Sequence, residues 1–194
     1  VSNADDFKPG AEITINAGYA NQTATVFKGV VIKHGIKMDG DNFSRLIVQC
    51  KDKAVAMTVG RKNANYVDSK DSDILSKIIG SYSGLSSDVT ATTASFKELV
   101  QYYCTDWDYL LARAEVNGFL VIIDEAKVSV KAPQVSGEPV LTLTYGIDLM
   151  AFAADIDAAA QYSEVKGAVW NLTDQAVQEA QAAPDNLTSQ GNLT

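Results

Sequence analysis

Between Ile13 and Val59 apolar and polar positions follow a strand-like pattern. Ile13 and Ile15 are separated by Thr14, Thr25 to Ile32 is rich in β-branched residues, and Leu46 to Cys50 follows. This pattern predicts three or more antiparallel strands. Asn16-Ala17-Gly18, Ala20-Asn21-Gln22 and Met38-Asp39-Gly40-Asp41-Asn42 are turn candidates, because these residue types tolerate tight or left-handed backbone. Short strands at this spacing predict a small β-barrel. The period then changes. Ile74, Leu75, Ile78, Ile79 and Tyr82 recur at helical steps, with Asp71 or Ser72 as N-cap and Gly80 and Gly84 near the end. A second helix is predicted from Thr105 as N-cap, with Asp108 at capping-box spacing, through Leu110, Leu111 and Ala114 to a stop at Gly118. Phe119 to Val130 returns to strand, turning at Asp124-Glu125-Ala126.

The stretch Ala132-Pro133-Gln134-Val135-Ser136-Gly137-Glu138-Pro139 reads as a linker. Beyond it, strands are predicted at Val140–Tyr145, Phe152–Ile156 and Val165–Trp170. A last helix over Asp174–Ala182 follows, capped by Asn171 or Thr173, and a polar tail from Pro184 is expected to fray. The fold class is α+β, mostly β. The expected organisation is a first barrel at 7–61, a middle segment with two helices at 62–139, and a start of a second barrel with a C-terminal helix and tail at 140–194.

Composition narrows the function. The chain has 194 residues, of which 46% are hydrophobic and 21% charged, the profile of a folding globular chain. Its net charge is -8 and no stretch concentrates Lys and Arg, so nucleic acid is not an expected partner. Apolar runs such as Phe119–Ile123 fall far short of the roughly 20 residues that span a bilayer, and no signal segment opens the chain. Cys50 and Cys104 sit in apolar or aromatic neighbourhoods and read as buried thiols rather than a disulfide. Asn-x-Ser/Thr triplets at Asn21, Asn42, Asn171, Asn186 and Asn192 have meaning only in a eukaryotic secretory protein.

Candidate chemistry is sparse. A single His34 cannot build a His-rich zinc site, and its place beside Gly35 suggests a strand end or turn. Neither cysteine lies in a motif that lowers a thiol pKa. Gly80-Ser81-Tyr82-Ser83-Gly84 has the outline of a hydrolase elbow but carries Tyr82 at its centre and follows a helix, which makes it a helix-ending turn. Asp68, Asp71 and Asp73 lack the central glycine and closing glutamate of a calcium loop and are explained by helix capping. Trp107, Asp108 and Tyr109 suit capping and packing at a helix start better than sugar binding. No catalytic, cofactor-binding or metal-ligating residue is assigned, and no cofactor is expected.

Several blocks nevertheless form a signature. Phe7-Lys8-Pro9-Gly10 precedes the first strand and Gly18-Tyr19. Val26-Phe27-Lys28-Gly29-Val30-Val31 and Leu46-Ile47-Val48-Gln49-Cys50-Lys51-Asp52-Lys53-Ala54 follow. Asp71-Ser72-Asp73-Ile74-Leu75 stands ahead of Tyr82-Ser83-Gly84-Leu85. The longest block runs from Val100-Gln101-Tyr102-Tyr103-Cys104-Thr105-Asp106-Trp107-Asp108-Tyr109 through Leu110 to Gly118. In this order and spacing they resemble the Vgr-type spike (Rhs element Vgr) and phage late control D baseplate hub family. Leu143–Leu149 and Val165–Trp170 resemble the family's entry into a second barrel, so the resemblance covers about Phe7 to Ala182. It implies a structural hub without enzymatic activity, from a type VI secretion or phage-tail-like contractile injection system. Three chains would form a ring to which each contributes two similar barrels, so that the trimer presents pseudo-sixfold symmetry to a hexameric inner tube. Implied partners are further copies in a homotrimer, the inner-tube protein, baseplate proteins and secreted effectors, with no nucleic acid and no membrane-spanning segment. The implied location is the bacterial cytoplasm during assembly, then the exported or particle-borne spike. The second barrel looks truncated and the family's downstream spike absent, so a fragment with an unpaired sheet edge is expected, prone to self-association. Alternatives are a spike-borne enzyme such as a cell-wall hydrolase, or a carbohydrate-binding module.

Overall fold

The computed structural model describes residues 5–19, 22–40, 43–134, 136–155, 157, 162 and 164–182. The chain divides into two units, Val1–Gly137 and Glu138–Thr194. Strands β1 (Glu12–Tyr19), β2 (Gln22–Met38) and β3 (Ser44–Lys51) form an antiparallel sheet in that order. Tyr19 pairs with Gln22, and Met38 pairs with Ser44. Positions 20, 21, 41 and 42 lie outside the described residues.

Asn16-Ala17-Gly18 does not turn. It continues β1, and a bulge between Ile15 and Asn16 takes up Val26 as the extra residue of β2. A second bulge between Val31 and Lys33 inserts Ile32 opposite β3. Gly29 is needed where the strands crowd, since a Cβ there would meet the Lys51 carbonyl oxygen at 2.3 Å. The predicted barrel is absent among the described residues. Three strands are too few to close, and every later strand of the first unit pairs elsewhere.

The strand pattern was also expected to reach Val59, but Lys53–Thr58 forms a 3₁₀ helix that buries Ala54 and Met57. Asp52 caps it, accepting the Ala54 N–H at 2.9 Å. β4 (Lys62–Lys70), which the sequence pattern did not reveal, leads into α1 (Asp71–Gly80). The N-cap is Lys70, with no side-chain bond, rather than Asp71 or Ser72. Asp71 and Asp73 occupy the first turn, where the helix dipole favours negative charge. Ile74, Leu75, Ile78 and Ile79 form the buried stripe, and Gly84, at φ +81°, completes the exit turn. β5 (Ser86–Val89) and β6 (Ser95–Cys104) precede α2 (Asp106–Val116), which stops at Gly118 with φ +65°. β7 (Leu120–Asp124) and β8 (Lys127–Lys131) form a hairpin, and β5 pairs parallel to β8. β6 pairs antiparallel with β4. Both helices pack on these sheets around Met57, Tyr66, Tyr109, Leu110, Val128 and Val130.

In the second unit the described residues include none that is buried. Val140–Tyr145 and 152–155 are not strands. Among the described residues they show an isolated bridge between Tyr145 and Leu149, closed by a turn in which Thr144 O accepts the Asp148 N–H at 3.0 Å. Ile156 lies outside the described residues, as does the tail from Pro184. β9 (Val165–Asn171) appears as expected. The predicted last helix is instead β10 (Ala176–Ala182), paired antiparallel with β9. Asn171 caps a turn rather than a helix: its Oδ1 accepts the Thr173 N–H at 2.9 Å and its Nδ2 donates to Asp174 at 2.7 Å. Gln175, at φ +49°, then reverses the chain. Pairing overrides the helical preference of the Ala, Gln and Glu residues that follow.

The β7–β8 turn places two residues without glycine's freedom in the left-handed region, Glu125 at φ +46° and Ala126 at φ +67°. The Asp52 carboxylate holds it, accepting the Ala126 N–H at 2.9 Å, while Ala126 O accepts the Ser86 N–H at 3.0 Å. Left-handed backbone costs a residue with a side chain about 1–2 kcal/mol. Part of that gain is offset by glycine's greater freedom in the unfolded chain. Ala126→Gly should therefore raise stability by about 0.5–1 kcal/mol, read as a higher urea midpoint at unchanged m-value.

Candidate interaction surface and the carboxylates behind it

Two buried carboxylates organise the first unit around α2. Thr105 caps the helix as expected, its Oγ1 accepting the Asp108 N–H at 3.0 Å and donating to Asp108 Oδ2 at 2.7 Å. The next residue, Asp106, turns inward and is only 3% exposed. It accepts from Lys62 Nζ at 2.6 Å, Tyr82 Oη at 2.6 Å and Gln101 Nε2 at 2.8 Å. Gln101 in turn accepts from Tyr66 Oη at 3.1 Å. At the other end of α2, Arg113 donates from Nε and Nη2 to Asp71 at 2.6 and 2.8 Å, and Asn117 Nδ2 adds a third bond at 2.9 Å. Asp71 is 1% exposed.

Burial pushes both carboxyls up, but their donors win. Gln101, Lys62 and Tyr82 hold Asp106 below the usual carboxylate range, and Arg113 with Asn117 does the same for Asp71. The Asp106 carboxylate raises Lys62 in return. Burial, followed by the same carboxylate, raises Tyr82. A general acid or base works best with a pKa near the operating pH and a free site for the proton. These groups are driven away from neutrality with their acceptor positions occupied, so they act as clamps. Tyr109 stacks on Tyr66 at 5.7 Å, and its buried hydroxyl has no partner among the described residues.

The other candidates are dispersed. His34 lies within β2 rather than at a strand end, paired with Val48, and its Nδ1 donates to the Phe7 carbonyl at 2.8 Å. Cys50 and Cys104 are free, as expected, but only half-buried. Asp68 sits in β4 at φ +46°, away from any capping role. Trp107 packs against the core and walls a small, mostly apolar cleft of about 280 Å³ with Lys51, Asp52, Ala54, Val55, Thr58 and Ile123. Among the described residues no His, Cys, Asp or Glu group is placed to hold a metal, and no helix is long and apolar enough to cross a membrane.

What the chain does present is exposed surface. A bulge opposite Asn63 puts Tyr103 at φ +45°, with its N–H bonded to Asn63 Oδ1 at 2.8 Å and Arg61 lying 5.0 Å over its ring. Tyr102 beside it is also exposed. In the second unit Leu141, Tyr145, Ile147, Met150, Phe152, Val169 and Trp170 all face solvent.

The family model described as the Alg8 N-terminal domain matches residues 1–194. The chain belongs to the Alg8 N-terminal domain family. No curated protein matches. Among solved structures this family member resembles a tail protein from Neisseria meningitidis, at 14% identity and TM-score 0.62, over 84% of this chain and 52% of that one. It also resembles the 43 kDa tail protein of prophage MuSo2 from Shewanella oneidensis, at 14% identity and TM-score 0.64, over 93% and 54%. A third likeness is to an E. coli component of the type VI secretion system, itself described as similar to T4 bacteriophage tail proteins, at 14% identity and TM-score 0.55, over 88% and 46%. This chain therefore has the fold of phage tail proteins, and it spans about half the length of these structures. The matching family model bears a different name from the Vgr and late control D families, and the shared ground with them is the fold.

The clamp predicts how this chain responds to mutation and acid. Arg113→Met strands the Asp71 charge and should cost about 3–5 kcal/mol at pH 7. In the wild type the Asp71 contribution is complete above the ordinary carboxylate pKa near 4 and fades as pH falls through its depressed folded value. In the variant, protonation relieves the buried charge, so the stability gap should narrow in acid. Urea titrations of both proteins at pH 7 and pH 3.5 check this, and an equal gap at both would place the deficit in packing.

Proposed function

We propose that this chain is the hub portion of the trimeric spike of a contractile injection apparatus, of type VI secretion or phage-tail-like kind, adapting a threefold spike to a hexameric inner tube. The observation that carries the reading is the fold likeness to two tail proteins and a type VI secretion component, which extends over 84% or more of the chain. The second unit, with no buried residue among those described, supports a part that is completed by neighbours. In this reading its partners are two further copies, the inner-tube protein, baseplate proteins and secreted effectors. It resides in the bacterial cytoplasm during assembly and then travels with the spike. It catalyses no reaction of its own. The saturation of Asp71 and Asp106 supports that view, since the best-buried carboxylates are already spent on structure.

Light scattering of the full-length protein, alone and with the inner-tube protein of the same particle, tests the proposal. The expected result is a trimer mass and a stable complex with tube hexamers. A monomer that ignores the tube protein would overturn it.

A further inference from the structure

The β1–β2–β3 sheet gathers its cations on one side. One face carries Ile13, Ile15, Phe27, Val31, Ile36, Leu46 and Val48. The pairing places Lys28, Lys33, Lys37, Arg45 and Lys51 together on the other. From Lys28 to Lys37 this basic stripe runs about 30 Å at strand rise. Among the described residues Glu12, held by Lys53 at 2.6 Å, and Asp39, held by Lys37 at 3.3 Å and Arg45 at 2.9 Å, offset it in part. Lys28, Lys33 and Lys51 are exposed and form no ion pair among the described residues.

The chain's negative charge is concentrated elsewhere. Between Glu138 and Thr194 stand eight carboxylates and one cation, Lys166. The same segment is the unit without a buried residue among those described, so it has the most to gain from a covering surface.

We propose that the basic face of β1–β3 docks the acidic unit Glu138–Thr194 of a second copy of this chain. The proposal rests on the oligomeric hub reading and supplies a surface for it. Val30, Gly35 and the half-exposed Ile47 lie between the cations, which suits a protein partner better than a bare polyanion. Each copy offers one basic face and one acidic unit, so the contact is head-to-tail, the type that closes into a ring when the rotation allows.

Sedimentation velocity on the chain at 50 and 500 mM NaCl tests this with two charge-reversed variants. One carries Lys28→Glu, Lys33→Glu and Lys51→Glu. The other carries Glu138→Lys, Asp155→Lys and Glu179→Lys. All six positions are exposed, and near-UV circular dichroism verifies that both variants fold. Wild type should self-associate at low salt and weaken at least about tenfold at high salt. Each variant alone should stay monomeric, and an equimolar mixture of the two should associate again. A wild type that is monomeric at low salt, association indifferent to salt or to the lysine changes, or a mixture that stays dissociated would each overturn the proposal. So would a monomeric wild type that binds a labelled 20-base-pair DNA duplex, which would assign the face to a polyanion. A full-length trimer that binds the tube protein yet ignores these substitutions would leave the hub reading intact and remove only this contact.

Discussion

A carboxylate as buried as Asp71 stays ionised only where a cation and further donors replace the water it has lost. The placement of α2 follows from that requirement. Arg113 and Asn117 bring the end of the helix to the start of α1, while Lys62, Tyr82 and Gln101 draw its first turn toward β4, β6 and the α1 exit. The apolar stripe of Leu110 and Ala114 supplies burial, but burial is non-directional and tolerates rotation about the helix axis. Bonds at both ends remove that freedom. We read the two clamps as setting the orientation of α2 more than the net stability of the unit, because a buried pair recovers little beyond its own desolvation.

The two bulges of β2 play the corresponding part in the first sheet. Lys28 and Lys33 are five residues apart and would lie on opposite faces of a regular strand. The extra residue Ile32 restores them to one side, and it also lets Val31, His34 and Ile36 share the apolar side. One inserted residue thus converts a strand of mixed character into a two-faced sheet.

These devices mark the limit of what could be read from the chain. The α2 block was legible because its chemistry is local: Thr105, Asp108 and Gly118 each act within a few residues of themselves. β1 to β3 were legible by alternation. The basic face was not, because charges that look scattered along the sequence are gathered by a bulge that leaves no compositional trace. β4 was missed because Lys62–Lys70 is largely polar and buries only Tyr66. At the C-terminus local preference pointed the wrong way. Asn171 caps equally well a helix or a turn, and the Ala-rich stretch after it took its conformation from β9. The Asp71 clamp joins residues 42 positions apart, beyond the reach of any capping rule.

The contrast between the units bears on how such a part functions. The first unit has a buried core, two clamps whose carboxylates are each met by three donors, and a strained turn held by Asp52. The second exposes its apolar residues and carries a hairpin, β9–β10, whose two strands alone are marginal in water. A free monomer would gain nothing from that arrangement, since unpaired edges and bare apolar segments invite aggregation. A component that is finished only in an assembly gains specificity from it, because its folding and docking draw on the same surface. Under the proposed docking, with the carboxylates gathered on the second unit and the lysines on one sheet face, like units would repel and unlike faces attract, favouring head-to-tail contacts over symmetric pairing.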